Sequence, residues 1–202
     1  LTKSLMSKIE TPIQSLLDLG CGNGLYLVEF CKQVPGISAL GVEKDEGACI
    51  EGRKLIDQAE LSNRVELVCS PAVSFLEQRT AFQADLTVIG FVLHEILAQE
   101  GERGVIRFLQ NITDRYPDIH LIVIEVDNRF SDPSIMQHGL ATAYYNPYYL
   151  MHYFTCQRLE SKDFWRDLFE DAGLEVLAEE TTRPEVDSTG LEIGFLLRKE
   201  RL

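Results

Sequence analysis

Apolar residues in this chain fall into short runs separated by longer stretches of helical spacing. Residues 16–19, 39–42, 65–69, 84–91 and 120–126 are compact runs rich in Leu, Ile and Val. Runs of that length suit strands buried on both faces. Between them, residues 25–33, 47–61 and 97–116 carry apolar positions three and four apart, and Ile106, Leu109 and Ile112 share one face. That spacing predicts helices with a single buried stripe. Pro35-Gly36 and Pro117 punctuate the series, since proline cannot continue a helix. Strands alternating with helices in this way predict an α/β fold, a doubly wound and mostly parallel sheet covered on both faces.

The alternation stops after residue 126. Residues 127–160 include the string Tyr144-Tyr145-Asn146-Pro147-Tyr148-Tyr149-Leu150-Met151-His152-Tyr153-Phe154, unusually aromatic for a surface connection. A long connection in a compact domain is usually functional, so this insertion is expected to cover substrate. The alternative is a helix packed in a homodimer interface. Residues 161–172 read as a helix with Ser161 as N-cap, Phe164, Trp165, Leu168 and Phe169 as its apolar face and Gly173 after its end. Two last strands follow at 174–178 and 191–198, giving seven in all. Pro12 interrupts residues 1–14, which read as a linker or as the end of a missing N-terminal region; residues 15–202 read as one domain.

At 202 residues the chain is long enough to bury a sizeable core. No apolar run approaches the length of a membrane span, and no secretory leader pattern is visible. The net charge of −13, with no lysine or arginine cluster, argues against a nucleic-acid partner and for a small molecule. The five cysteines form no C-x-x-C pair, which suits reduced thiols in a cytoplasmic protein and gives no zinc framework.

One string organises the rest: Leu16-Leu17-Asp18-Leu19-Gly20-Cys21-Gly22-Asn23-Gly24. An apolar run, three alternate glycines and a helix start make a turn where backbone can approach a ligand closely. The spacing lacks the third glycine of a G-x-G-x-x-G dinucleotide site and the Lys-Ser/Thr of a phosphate loop. Glu43 stands at the end of the second run, 21 residues after Gly22, where an acid can accept hydrogen bonds from ribose hydroxyls. The string resembles the first motif of class I methyltransferases that use S-adenosylmethionine (SAM). That resemblance covers residues 15–199 or so and implies an antiparallel last strand and SAM contacts by Asp18, Gly20, Gly22, Gly24 and Glu43, while Gly90, Phe91 and Val92, at the carboxyl end of the fourth run, are expected to face the donor and its methyl group. Many members carry an aspartate at the adenine where this chain has Ser70-Pro71-Ala72, so Ser70 or its backbone is expected to take that place.

SAM carries an activated methyl group, so the protein has mainly to align an acceptor with it. Of four histidines, His120 opens an apolar run and reads as structural, while His94, His138 and His152 fall near the expected carboxyl edge of the sheet. Phe91-Val92-Leu93-His94-Glu95 and Tyr148-Tyr149-Leu150-Met151-His152 are similar to strings in the methyltransferases that act on the β-carbon of 2-oxo acids such as 2-oxoarginine and phenylpyruvate. In some of that group two histidines and water hold iron. The resemblance implies iron or another divalent metal on His94 and His152, with His138 in reserve. Glu95, Glu125 and Asp127 are candidate bases or supporting groups, and Arg129 and Arg158 candidate partners of a substrate carboxylate. Two alternatives remain open at this point: an O- or N-methyltransferase with His94 as general base, and a SAM-binding partner subunit without catalysis.

Overall fold

The computed structural model describes residues 1–78 and 81–200. In chain order it comprises α1 (Thr2–Met6), β1 (Ser15–Leu19), α2 (Leu25–Gln33), β2 (Ser38–Glu43), α3 (Glu46–Gln58), β3 (Val65–Cys69), α4 (Ala72–Glu77) and β4 (Leu86–Gly90). Then come α5 (Leu93–Arg115), β5 (His120–Val126), α6 (Pro133–Met136), a π-helical turn (Ala141–Tyr145), α7 (Asn146–Phe154), α8 (Lys162–Asp171), β6 (Leu174–Thr181) and β7 (Glu192–Lys199).

The seven strands form one sheet in the order β3-β2-β1-β4-β5-β7-β6, parallel except for β7, which runs against both neighbours. The α/β, doubly wound fold with an antiparallel last strand is the one expected. The inner parallel strands β1, β2, β4 and β5 are buried on both faces, which is why their sequences read as mostly apolar runs, whereas the edge strand β3 exposes Glu66 and Cys69. One face packs Leu17, Leu19 and Val123 against Leu97, Val105, Phe108 and Ile112 of α5 and Trp165 and Phe169 of α8. The other packs Leu16, Val88 and Ile122 against Leu27, Cys31, Cys49 and Ile56 of α2 and α3. Leu5 of α1, fully buried, joins this second core, so the segment before Pro12 contributes a helix to the packing.

Strand order reverses between β1 and β4, and ligands in such sheets collect at the carboxyl ends of the strands beside that reversal. Three features there differ from the sequence expectation. Helix α5 begins at Leu93 rather than 97 and takes His94 and Glu95 into its first turn. It also breaks at Gly101, whose φ is 69°. The 127–160 insertion is largely helical, and Val126, Ala141, Tyr145, Tyr149 and Leu191 form a small core that seats it on the sheet end. Cys21, Cys31 and Cys49 are buried and, like exposed Cys69 and Cys156, in no disulfide. No helix among the described residues is long and apolar enough to cross a membrane.

Candidate functional site

The glycine turn follows β1 directly. Gly20, Gly22 and Gly24 all have positive φ (82°, 55° and 70°), a region that L side chains rarely enter. Around Gly22 nothing lies within 4 Å of where a Cβ would stand, so the turn keeps an open face. From behind it is pressed tightly: a Cβ at Gly52 in α3 would stand 3.0 Å from the Asn23 carbonyl oxygen and 2.5 Å from Leu67. Glu43 Oε2 accepts the Gly22 N–H at 2.9 Å and Oε1 accepts the Asp45 N–H at 2.8 Å. The expected ribose acid therefore also holds the turn to the start of α3.

Beneath the turn, Asp18 is 3% exposed, and its Oδ2 has no hydrogen-bond partner among the described residues. Burial, reinforced by the charge of Glu43, pushes its carboxyl up from 3.8 to about 7. A buried carboxylate without a partner is costly, and a cation seated on the turn would relieve it. The chemistry of this cradle fits SAM: an open glycine face, a carboxylate at the second strand end, and beneath the turn a buried acid whose charge favours a ligand carrying an ammonium and a sulfonium. Ser70 lies at the end of β3, its N–H donating to the Glu43 carbonyl at 2.8 Å. Gly90 ends β4 with open space where a Cβ would be, and Phe91 follows at φ 58°, an uncommon conformation for a bulky residue.

The histidines are brought together from 58 residues apart. The rings of His94 and His152 lie with centroids 5.0 Å apart at 67°. His94 Nδ1 donates to Glu125 Oε2 at 2.8 Å, while Glu125 Oε1 accepts the N–H groups of Leu93 (2.9 Å) and His94 (3.3 Å). Glu125, fully buried on β5, thus caps α5 and fixes the ring at once. His152 Nδ1 meets the Tyr148 carbonyl at 2.7 Å. With both Nδ1 atoms engaged, the Nε2 atoms remain, and neither has a hydrogen-bond partner among the described residues. Burial disfavours a charged His94, but the bond to Glu125 and its charge outweigh this, and the ring ends above the usual histidine range. Burial holds His152 below it.

Both histidines line a cavity of about 290 Å³ with Phe91, Glu95, Val126, Tyr144, Tyr145, Tyr148, Gln157 and Glu192. No lysine or arginine among the described residues lines it. The Tyr148 hydroxyl is buried without a partner. His152 and Gln157 also border a second, more open cavity of about 480 Å³ beside Phe130 and Tyr153.

The other sequence candidates are engaged elsewhere. Glu95 pairs with Lys44 at 3.3 Å at the cavity's edge. Asp127 accepts the Lys162 N–H at 2.8 Å, its carbonyl accepts the Tyr149 hydroxyl, and it does not line the cavity. Arg129 pairs with Asp132, and Arg158 with Glu160 at 2.6 Å and Glu102 at 3.6 Å. His138 sits apart, its Nδ1 accepting from Leu140 N–H at 3.2 Å. Glu125 is no surface charge, and Glu192 and Gln157 were not singled out by the sequence at all; only the fold carries them to the cavity. Among the described residues no cluster of three or more His, Cys, Asp or Glu could hold a metal, so the protein's donor set there is the histidine pair.

A family model described as a methyltransferase domain matches residues 3–179. The 2-ketoarginine methyltransferase of Streptomyces arginensis is 37% identical over 206 residues, covering 98% of this chain and 57% of that protein. The ubiquinone/menaquinone biosynthesis C-methyltransferase UbiE of Cereibacter sphaeroides is 29% identical over 118 residues, or 56% of this chain and 43% of its own. Among solved structures, mitomycin 7-O-methyltransferase MmcR superposes with a TM-score of 0.70 at 20% identity, covering 98% of this chain and 53% of that one. NcsB1, an O-methyltransferase solved in complex with SAM and a naphthoic acid, gives 0.67 at 16% identity over 92% of this chain and 49% of its own. The chain spans about half the length of the relatives it matches.

Proposed function

Because the chain belongs to the methyltransferase-domain family, we propose that it transfers a methyl group from SAM to the β-carbon of a small 2-oxo acid, with His94 and His152 holding a divalent metal such as iron. The observation that carries this reading is the histidine pair: two rings 5.0 Å apart, each tied at Nδ1 and free at Nε2, in one cavity beside the carboxyl end of β4. Ligating histidines usually have their second nitrogen fixed in this way. A bound ion would act as a Lewis acid on the ketone and acidify the β-hydrogens.

Electrostatics support the same reading. A 2-oxo acid is an anion, yet the described wall of the cavity offers Glu192 and Glu95, the latter paired with Lys44, and no lysine or arginine of its own. An ion on the two histidines would supply the missing positive charge. The chain's own residues then have three tasks. Asp18, Glu43 and the glycine turn seat the donor; Glu125 and the Tyr148 carbonyl orient the rings; the tyrosines of the insertion keep water from the reacting carbon. The 2-ketoarginine specificity in the name of the Streptomyces relative agrees with an acidic cavity.

A second reading has its own observation. His94 with Glu125 at 2.8 Å is a histidine–carboxylate dyad, which could act as a general base on a hydroxyl or amine acceptor without metal. Transfer of labelled methyl from SAM to a panel of 2-oxo acids, alcohols and amines separates the two. The first reading expects transfer to 2-oxo acids that a chelator stops and ferrous ion restores, and that is lost in both His94→Ala and His152→Ala. Transfer to alcohols or amines only, indifferent to chelator, would overturn it in favour of the dyad.

A further inference from the structure

The cavity wall carries two polar residues, Gln157 and Glu192, that the methyl-transfer chemistry leaves unused. Glu192 opens β7 and stands in register with Val126 at the end of β5, so the antiparallel last strand brings a carboxyl group to the same sheet edge as the histidines. Its Oε1 accepts the Thr182 hydroxyl at 2.7 Å, which fixes the side chain. Its Oε2 has no hydrogen-bond partner among the described residues, while the residue lines the cavity. Tyr144 and Tyr148 also line the cavity, and their rings stack at 6.3 Å between centroids. Glu95, the other acid of the wall, is already neutralised by Lys44. Among the described residues Glu192 is therefore the cavity carboxylate without an ion-pair partner.

We infer that Glu192 determines specificity, receiving the positively charged far end of the acceptor and so selecting 2-oxo acids with a guanidinium side chain. A guanidinium brings several N–H donors in one plane. Here it meets a carboxylate oxygen and the Gln157 amide, with the tyrosine rings of the cavity wall beside it. An uncharged tail of the same length would strip water from Glu192 Oε2 and return nothing. Discrimination comes from the group left unpaired as much as from the bond made.

The inference rests on the 2-oxo acid reading, and its test tells the two apart. The full 202-residue chain, wild type, Glu192→Gln and Glu192→Asp, is assayed with SAM on 5-guanidino-2-oxopentanoate and on 2-oxoheptanoate, whose tail is uncharged. Glutamine keeps an oxygen for the Thr182 hydroxyl, so the fold is retained while the charge is lost. Wild type should prefer the guanidino acid. In Glu192→Gln the ratio of kcat/KM values should fall 10- to 100-fold, through KM for the guanidino acid rather than kcat, and Glu192→Asp should recover part of it. An unchanged ratio, or equal losses on both substrates, would overturn the inference while leaving the 2-oxo acid reading intact. No turnover of either acid by wild type that still binds SAM would overturn both.

Discussion

Replacing Asp18 by asparagine should stabilise the SAM-free protein and weaken its hold on SAM. Asp18 is 3% exposed with one oxygen unpartnered, and its carboxyl is raised from 3.8 to about 7. A shift of about 3 units at about 1.36 kcal/mol each corresponds to roughly 4 kcal/mol between the two protonation states. The sign follows from the direction. The raised folded value favours the protonated acid, so the associated stability is full below the unfolded value of 3.8 and is lost as pH rises to about 7. Above that, the folded chain carries a buried charge at full cost. Asparagine removes the charge but buries an amide with imperfect partners, which returns about 1–3 kcal/mol of the gain. The net is about 1–3 kcal/mol, or roughly 2–12 °C in Tm for a chain of this size. Thermal melts of both proteins without SAM at about pH 5 and about pH 8 measure it. The asparagine variant should melt higher at the upper pH, with the gap shrinking towards the lower, and calorimetry should show SAM affinity reduced at least 10-fold. A variant that melts lower than wild type at the upper pH, or keeps the wild-type pH slope, would refute the reasoning.

Other consequences concern the walls of the site. Glu125→Gln keeps an acceptor for the α5 N-terminus but loses the charge on His94, so the ring should return towards the ordinary histidine value; a histidine NMR titration should read a lower pKa than wild type. Its turnover should fall at least 10-fold while SAM affinity holds, and equal losses in both would point to general disruption. Gly52→Ala puts a Cβ 2.5 Å from Leu67 Cδ1 and 3.0 Å from the Asn23 carbonyl oxygen. Overpacking of that kind costs about 1–3 kcal/mol, and because it shifts the glycine turn, SAM affinity measured by calorimetry should fall with the Tm.

How much of this was legible in the sequence follows from how local each signal is. The strands that make the parallel core announce themselves as apolar runs, because burial on both faces leaves few choices at each position. The glycine turn is equally local: positive φ at Gly20, Gly22 and Gly24 is written in the residue type. The start of α5 is not. Nothing near Leu93 in sequence caps it; the acceptor is Glu125, 32 residues on and one strand away. By composition that glutamate resembles a surface charge, and only the β4–β5 pairing buries it under the helix. The insertion misleads for a related reason. Its tyrosines break any clean helical stripe because Tyr145 and Tyr149 face the sheet while Tyr153 faces solvent. Gly52 has no signal in a helical stretch, where a glycine reads as a mild defect; its reason is the turn pressed against it. Glu192 reaches the cavity only because the last strand runs antiparallel, bringing its first residue to the carboxyl edge.

The most direct test of the account is where the methyl group lands. The chain is incubated with ferrous ion, SAM carrying a carbon-13 methyl group and 5-guanidino-2-oxopentanoate, and the product is read by NMR. The account predicts label in a methyl group bonded to carbon 3, beside the ketone, and no such signal from His94→Ala or His152→Ala. A labelled methyl on oxygen or nitrogen, or full carbon methylation by both histidine variants, would contradict it.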